Sequence, residues 1–488
     1  MLAFPPHAVL PAGLLVLAPL AAALERCRGP GTAFLLGLGF GVPGLLAVCP
    51  WVVHMLSVEA DVPRPAAWVA AVGLAVVTAS FGAAAASAYR ALRPRLSAAA
   101  APLAFGAVWA LVELVRAEPA RLPWVLLPHA LARHPLLLQT AELGGALVPG
   151  FVLASLQAGF GMALVHRRLT PLAAPLALGA LALGHGVLGL LAAVPAGEAY
   201  RVGIVQAAIP QHERFREGSA RRNTRRHEVL TRELVRRERP DLVVWSETAI
   251  DTDLDRAPEL AAEIGRLVDE LGVPLLTGAP RSRDGSPTNS VVLFLPGRGI
   301  AATYDKQILV PFAEFDPPLR RLWRPLLGGV TKGDPYVPGA GPVVFRNGVP
   351  PLATPICFEI TYPFLVRAMR EAGAELVVNL TNDAWFGRDP ALEMHFAHAV
   401  FRAIETRTFV VRAANTGISG VIDPRGVARG QLGIFEEGTL VADVHRSSPR
   451  TLYARFGSGP AAGALAALLV LLAVGPGRFR RRRGAHRG

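Results

Sequence analysis

Apolar and polar positions follow two different rhythms along this chain. Up to about Val194 the sequence is dominated by Ala, Leu, Val and Gly in long uncharged runs. From Glu198 to Arg446 charge is dense and the apolar residues come in short bursts. A helix that crosses the hydrocarbon core of a bilayer needs about 20 predominantly apolar residues. Runs of that order cover 8–24, 32–56, 66–89, 97–115, 143–165, 171–194 and 459–474. The pattern therefore predicts six spans before the polar region and one after it.

From Tyr200 the period shortens. YRVGIVQAAI, DLVVWSETAI, VPLLTGAP, SVVLFLPG and AELVVNLTND read as strands, and the charge-rich stretches 217–239 and 258–271 read as helices between them. Strands apolar on both faces that alternate with helices predict a layered α/β domain. The expected organisation is a transmembrane helical domain over 1–197, a polar α/β domain over 198–447, and a last transmembrane helix with a basic tail over 448–488.

Composition changes the picture in three ways. With 52% hydrophobic residues in 488, the chain is too apolar for one ordinary soluble domain. The net charge of +13 suggests nucleic acid at first sight, but much of the excess lies in short loops between apolar runs and in the tail 478–487, and no aromatic-interleaved basic surface accompanies it. It reads instead as an orientation signal. Loops with Arg26 and Arg28, with Arg90, Arg93 and Arg95, and with Arg167 and Arg168 alternate with loops holding Glu59 and Asp61 or Glu118 and Glu142. The positive-inside rule makes the first set and the C-terminus cytoplasmic, which puts the α/β domain and the N-terminus on the opposite face. A signal peptide is the rival reading of the first run, but no basic residue precedes Leu10 and no small-residue cleavage site follows. Glu113 and Arg116, one helical turn apart, read equally as a snorkelling interfacial pair and as functional groups.

Three cysteines, Cys27, Cys49 and Cys357, are too few and too far apart for a disulfide framework or a metal site. Cys27 and Cys49 read as packing residues, which leaves Cys357 in the polar region. It follows a short apolar run, as does Glu247 after 242–245, so each leaves a strand at its carboxyl end, where α/β folds place site residues. Alone, neither is decisive: such a carboxylate also caps helices, and a lone cysteine is more often inert. Lys306 is more telling. Of 50 Lys plus Arg only Lys306 and Lys332 are lysine, which suggests a need for a compact ammonium that planar guanidinium does not meet. Chance survival of a surface lysine fits Lys332 better than Lys306.

At these residues the sequence resembles the nitrilase, or carbon–nitrogen hydrolase, superfamily, and within it the apolipoprotein N-acyltransferases. The family's Glu-Lys-Cys triad falls on Glu247 in WSETAI, Lys306 in YDKQILVPFAEF and Cys357 in PICFEITYP. TNDAWFG (381–387), the stretch from His395 to Arg407 and RAANTGISGVI are further family-like segments, as are Trp109, Glu113, Arg116 and the LPW ending at Trp124. The resemblance implies an αββα sandwich for the polar domain. It also implies a two-step transfer in which Glu247 takes the thiol proton, Cys357 attacks the sn-1 ester of a phospholipid, and Lys306 stabilises the oxyanion. The α-amine of an S-diacylglyceryl-cysteine on an apolipoprotein then takes the acyl group. Glu314 and Glu359 resemble the family's supporting carboxylates, either of which would hold Lys306. Trp385, Phe215 and Phe358 would shape an apolar mouth for acyl chains, each reading equally as core. Phe358 stands where the family often has Tyr and Phe215 where Trp is common. Members usually have eight spans, so the chain is expected to begin just before the second. The implied location is the bacterial inner membrane with the catalytic domain periplasmic, and no cofactor or metal is implied.

Two other readings remain open at this level. A membrane-tethered amidase or nitrilase would use the same triad on a small soluble substrate, although seven spans are unnecessary for that. A transporter or receptor would need charged residues in its spans, which are scarce here.

Overall fold

The computed structural model describes residues 1–192, 198–214, 216–315, 334–446 and 450–474. Within it the chain divides into two compact units, one made of Met1–Cys49, Ala70–Ala192 and Thr451–Gly488 and the other of Pro50–Val69 and Ala193–Arg450.

The first unit is helical. Among the described residues, four helices are long and apolar enough to cross a membrane: Pro30–Val48, Arg64–Arg95, Leu147–His166 and Thr170–Leu191. Ala101–Ala117 and Gly459–Val474 are shorter, 17 and 16 residues, the latter about 24 Å at 1.5 Å per residue. One expected span is corrected and another is shortened. The run 8–24 forms two helices, Leu10–Leu15 and Ala18–Arg26, because Pro19 has no N–H to continue the first. The run 32–56 ends as a helix at Val48, since Pro50 restricts Cys49, which leaves the helical region at φ −119° and ψ 50°.

Small residues let these helices approach closely. A Cβ on Gly106 would sit 2.1 Å from Ser155 Oγ on the facing helix, the packing expected where lipid gives no hydrophobic drive between helices. Glu113 and Arg116 do not snorkel. Arg116 is 5% exposed and donates to the carbonyls of Leu122, Trp124 and Val125 at 3.2, 2.7 and 3.0 Å, while Glu113 accepts from Leu127 N at 2.9 Å. The pair ties down the irregular backbone after its helix, whose polar groups need partners.

The second unit holds two sheets. The strands are β1 (Ala199–Gln206), β2 (Leu242–Val244), β3 (Leu275–Arg283), β4 (Ser286–Leu295), β5 (Gly299–Asp305), β6 (Leu352–Ala353), β7 (Leu376–Thr381), β8 (Val410–Ala414), β9 (Ser419–Ile422), β10 (Ala428–Leu432) and β11 (Gly438–His445). Their orders are β11-β1-β2-β3-β4-β5 and β10-β9-β8-β7-β6. The neighbours β1-β2-β3 and β6-β7-β8 run parallel and the outer pairs antiparallel. Alternation along each strand divides the core. Val202, Ile204, Leu242 and Val244 join Leu352, Leu376, Val378 and Val411 between the sheets. Val205, Val243 and Trp245 point the other way, against Leu260, Ile264 and Leu267 of the helix Pro258–Leu271. With the helices Ser219–Glu238 and Ala391–Thr406, the result is the expected αββα sandwich.

Candidate active site

Parallel strands deliver their next residues to one edge, and the site is built there. Glu247 follows β2 through Trp245 and Ser246, and Thr248 behind it takes a left-handed φ of +44°. The bend crosses over Gly278 on β3: a Cβ there would lie 2.4 Å from Thr248 N and 2.6 Å from Glu247 Cα. Glycine is required at that point. Lys306 follows β5, its N–H donating to the Asn289 carbonyl of β4 at 2.8 Å. Cys357 follows β6 and a bridge from Ile356 to Leu380, opening a short turn over Cys357–Thr361.

The charged groups meet in a buried square. Lys306, 1% exposed, donates from Nζ to Glu247 Oε1 at 3.3 Å and to Glu314 Oε1 at 2.8 Å. Asn289 Nδ2 bridges the same two oxygens at 2.8 and 2.7 Å. The second oxygens are held by backbone: Asn382 N donates to Glu247 Oε2 and Val310 N to Glu314 Oε2, both at 2.7 Å. Such charge-assisted bonds are the strong ones and fix geometry. Burial alone would lower the proton affinity of Lys306, but Glu314 and Glu247 offset this and hold the ammonium well above the ordinary lysine range. Two carboxylates around one ammonium leave the square net negative.

Cys357 sits beside it with φ +50°, a region that costs a non-glycine residue about 1–2 kcal/mol. Cys357 retains some exposed surface, yet burial pushes its thiol well above the ordinary range, Glu247 adds to the shift and Lys306 opposes it. The resting thiol is therefore protonated and needs a base to become the nucleophilic thiolate.

Of the two carboxylates expected to hold Lys306, only Glu314 bonds it. Glu359, fully buried, instead accepts from Tyr304 OH, from Gln307 N and Ile308 N at 2.6 and 3.0 Å, and from Ile356 N at 2.7 Å. It latches the backbone after Lys306 to the backbone before Cys357. Burial pushes its carboxyl up to about 7 against the pull of those N–H donors and of Lys306. Phe358 is half-buried, edge-on to Tyr362 with ring centroids 5.2 Å apart. Trp385 is half-buried in the turn Asp383–Phe386. Phe215 and Lys332 lie outside the described residues.

Sequence reasoning missed Asn289 and Asn382. Asn289 belongs to a polar triplet, Thr288 to Ser290, that only the structure shows to be buried, at the head of an apolar strand. Sequence reasoning also missed Trp51, which lies in the run expected to span and packs edge-on against Phe386 at 5.1 Å.

A carboxylate, an ammonium and a thiol in this arrangement can deprotonate a nucleophile and stabilise an oxyanion. The comparisons with known proteins give the family of the chain. The carbon–nitrogen hydrolase family model matches 201–453, and the N-terminal domain model of apolipoprotein N-acyltransferase matches 1–159. The chain is 30% identical to the apolipoprotein N-acyltransferase of Geobacter metallireducens over 99% of this chain and 93% of that protein. It is 32% identical to that of Ralstonia nicotianae, covering 97% and 90%. Among solved structures it is similar to an amidase from Nesterenkonia sp., 18% identical with a TM-score of 0.40, covering 56% of this chain and 98% of that one. On the family model and the near full-length relatives, the chain belongs to the apolipoprotein N-acyltransferase family of carbon–nitrogen hydrolase enzymes, acyltransferases of the inner membrane.

Proposed function

We propose that this protein moves an acyl chain from a phospholipid to the α-amine of an S-diacylglyceryl-cysteine at the N-terminus of an apolipoprotein, through a thioester on Cys357, as the last step of lipoprotein maturation. The names of its relatives support lipoprotein N-acylation. The observation that supports the mechanism is that Glu247, its carboxylate held 3.3 Å from Lys306 Nζ, and Lys306 itself both act electrostatically on the buried Cys357 thiol.

In the first half-reaction Glu247 takes the Cys357 proton as sulfur attacks the sn-1 carbonyl. Lys306 and the N–H of Phe358 receive the oxyanion. As the tetrahedral centre collapses, the ester C–O bond breaks and Glu247 returns the proton to the departing lysophospholipid alkoxide. In the second half-reaction the α-amine attacks the thioester, the C–S bond breaks, and Glu247 passes the amine's proton to the thiolate. Glu314 keeps Lys306 charged throughout, while Phe358 and Trp385 line the apolar mouth for the acyl chain. The catalytic domain, 198–447, works on the periplasmic side; along the chain it follows the helical domain 1–197 and precedes the C-terminal helix and tail 448–488.

The test is intact mass after the purified full-length protein is incubated with phospholipid. The wild type is expected to gain one acyl group and Cys357→Ala none, with lipoprotein N-acylation abolished at matched membrane levels. Wild-type activity in Cys357→Ala would overturn the reading.

A further inference from the structure

Under the nucleophile lies a cluster of charged side chains that the two-step mechanism does not use. Asp383, His395 and Arg412 are 0, 1 and 0% exposed. Burying such groups is costly unless each is paired, so their arrangement calls for a reason. His395, on the helix Ala391–Thr406, has Nδ1 2.9 Å from Asp383 Oδ1 and 3.1 Å from Arg412 Nη2. Its Nε2 lies 3.2 Å from the carbonyl oxygen of Cys357. Arg412 donates from Nη2 to Asp383 Oδ2 at 2.7 Å and from Nη1 to Asn379 Oδ1. Asn379 donates in turn to the Pro355 carbonyl at 2.8 Å, and Thr381 Oγ1 to Asp383 Oδ1 at 2.8 Å. The links from Asn379 and His395 run to the backbone at 355–357.

A carbonyl oxygen only accepts, so Nε2 must carry the hydrogen. Nδ1 accepts from Arg412 when the ring is neutral and donates to Asp383 when it is charged, and in both states the Nε2 contact survives. Burial would raise Asp383, but Arg412 and then His395 hold its carboxyl well below the ordinary aspartate range. The anchor behind the ring is thus a permanent anion.

The peptide group is planar and trans. Fixing the Cys357 carbonyl therefore fixes the N–H of Phe358 on the other side of the same plane and sets ψ of Cys357, whose φ is left-handed at +50°. No glycine is present there to make that conformation easy. We propose that His395, backed by Asp383 and Arg412, is a positioning residue that locks the Cys357–Phe358 peptide plane and so aims both the thiol and the oxyanion N–H. This rests on Cys357 being the nucleophile.

The experiment compares His395→Gln with His395→Asn in the full-length protein in detergent micelles containing dioleoyl phosphatidylethanolamine. Both side chains keep an amide near Asp383 and Arg412, but only Gln is long enough to reach the Cys357 carbonyl. The rate of acyl-enzyme formation, read by rapid quench and intact mass, is expected to fall about a hundredfold in His395→Asn and to stay within about tenfold of wild type in His395→Gln. KM for the phospholipid should stay within about twofold in both, since the donor acts in the transition state. Equal rates in the two variants, or a wild-type rate in His395→Asn, overturn the proposal while a wild type acylated on Cys357 leaves the nucleophile intact. A wild type that never acylates Cys357 overturns both. If His395→Asn does not fold, His395→Leu, which has no donor for the Cys357 carbonyl, takes its place: a rate about a hundredfold down at unchanged KM supports the proposal, and a rate equal to that of His395→Gln or of wild type overturns it.

Discussion

Lys306 shows at the scale of one residue why lysine stands in a chain that otherwise uses arginine. Its Nζ is shared between two carboxylate oxygens at 3.3 and 2.8 Å in a pocket that leaves it 1% exposed. A guanidinium preserves the charge but is larger and planar, so it would displace Asn289 or Glu314 and move the donor away from the oxyanion. Lys306→Arg is expected to cost about 3 kcal/mol of transition-state stabilisation, roughly a hundred- to a thousandfold in rate, and about 1–3 kcal/mol of stability, because the larger group is forced into a closed site. Lys332→Arg should be nearly silent. N-acylation of a lipoprotein by the two variants at matched membrane levels checks this, and equal activities would mean that lysine is not needed at 306. Lysine scarcity and strand-end placement made Lys306, Glu247 and Cys357 visible in the sequence. Asn289 was invisible because an amide in a strand has no periodic signature. Asn382 was invisible because it works through its backbone N–H, which every residue but proline has. Glu359 sits in the triad's vicinity in sequence, but its partners are backbone amides from two segments about 50 residues apart, which no local pattern reports.

The bend after β2 is where an element-scale constraint meets the site. Glu247 reaches the square only because the chain crosses directly over β3, and the crossing closes to within a bond length or two of where a Gly278 side chain would begin. The facing atoms are backbone, which has no rotamer to yield. Gly278→Ala should therefore push the Glu247–Thr248 segment outward, destabilising the catalytic unit by about 1–3 kcal/mol as overpacking does. Because a displacement of about 1 Å at a reacting group costs on the order of a hundredfold, activity should fall further than stability. Thermal melts and acylation rates on the same preparation separate the two, and an active, unshifted alanine variant would contradict the crossing. In the sequence the Gly read only as part of a strand, LLTGAP. In the first sheet β1 to β4 were legible because they are apolar on both faces, whereas β5 and β11, largely half-exposed, were not read as strands. In the second sheet only β7 stood out: β6 has two residues, and β10 is half-exposed with Arg and Gln on it, so tertiary pairing rather than local pattern makes them strands.

For the whole molecule, charge and helix ends together argue orientation more strongly than a count of arginines. Glu25 accepts from Arg93 Nε and Tyr89 OH at 2.7 Å and lies 2.7 Å from His166 Nε2. The ends of Ala18–Arg26, Arg64–Leu92 and Leu147–His166 therefore meet, and the three arginine-bearing loops share one face of the helical unit. At the start of the last helix, Ser458 Oγ donates to Glu118 Oε1 at 3.3 Å, and Ala461 packs against Gly144 two residues from Glu142. That helix thus begins at the acidic loops and runs toward the basic ones. The run 8–24 failed as a span at Pro19, and the run 32–56 held as one but overshot its end at Val48, since hydropathy averages over a residue that breaks a helix. Orientation does not depend on those two runs. The positive-inside rule makes the arginine face the expected cytoplasmic one, and the arginines within 478–487 add to the same expectation. A reporter fused after Gly488 is expected to report the cytoplasm, and one inserted near Gly285, in the turn between β3 and β4, the periplasm. Because one helix, Gly459–Val474, accounts for the whole difference, replacing its central leucines by arginines, each costing about 2.5–3.5 kcal/mol of insertion free energy, should return the Gly488 reporter to the periplasm. Both native fusions reporting the same compartment would refute the assignment.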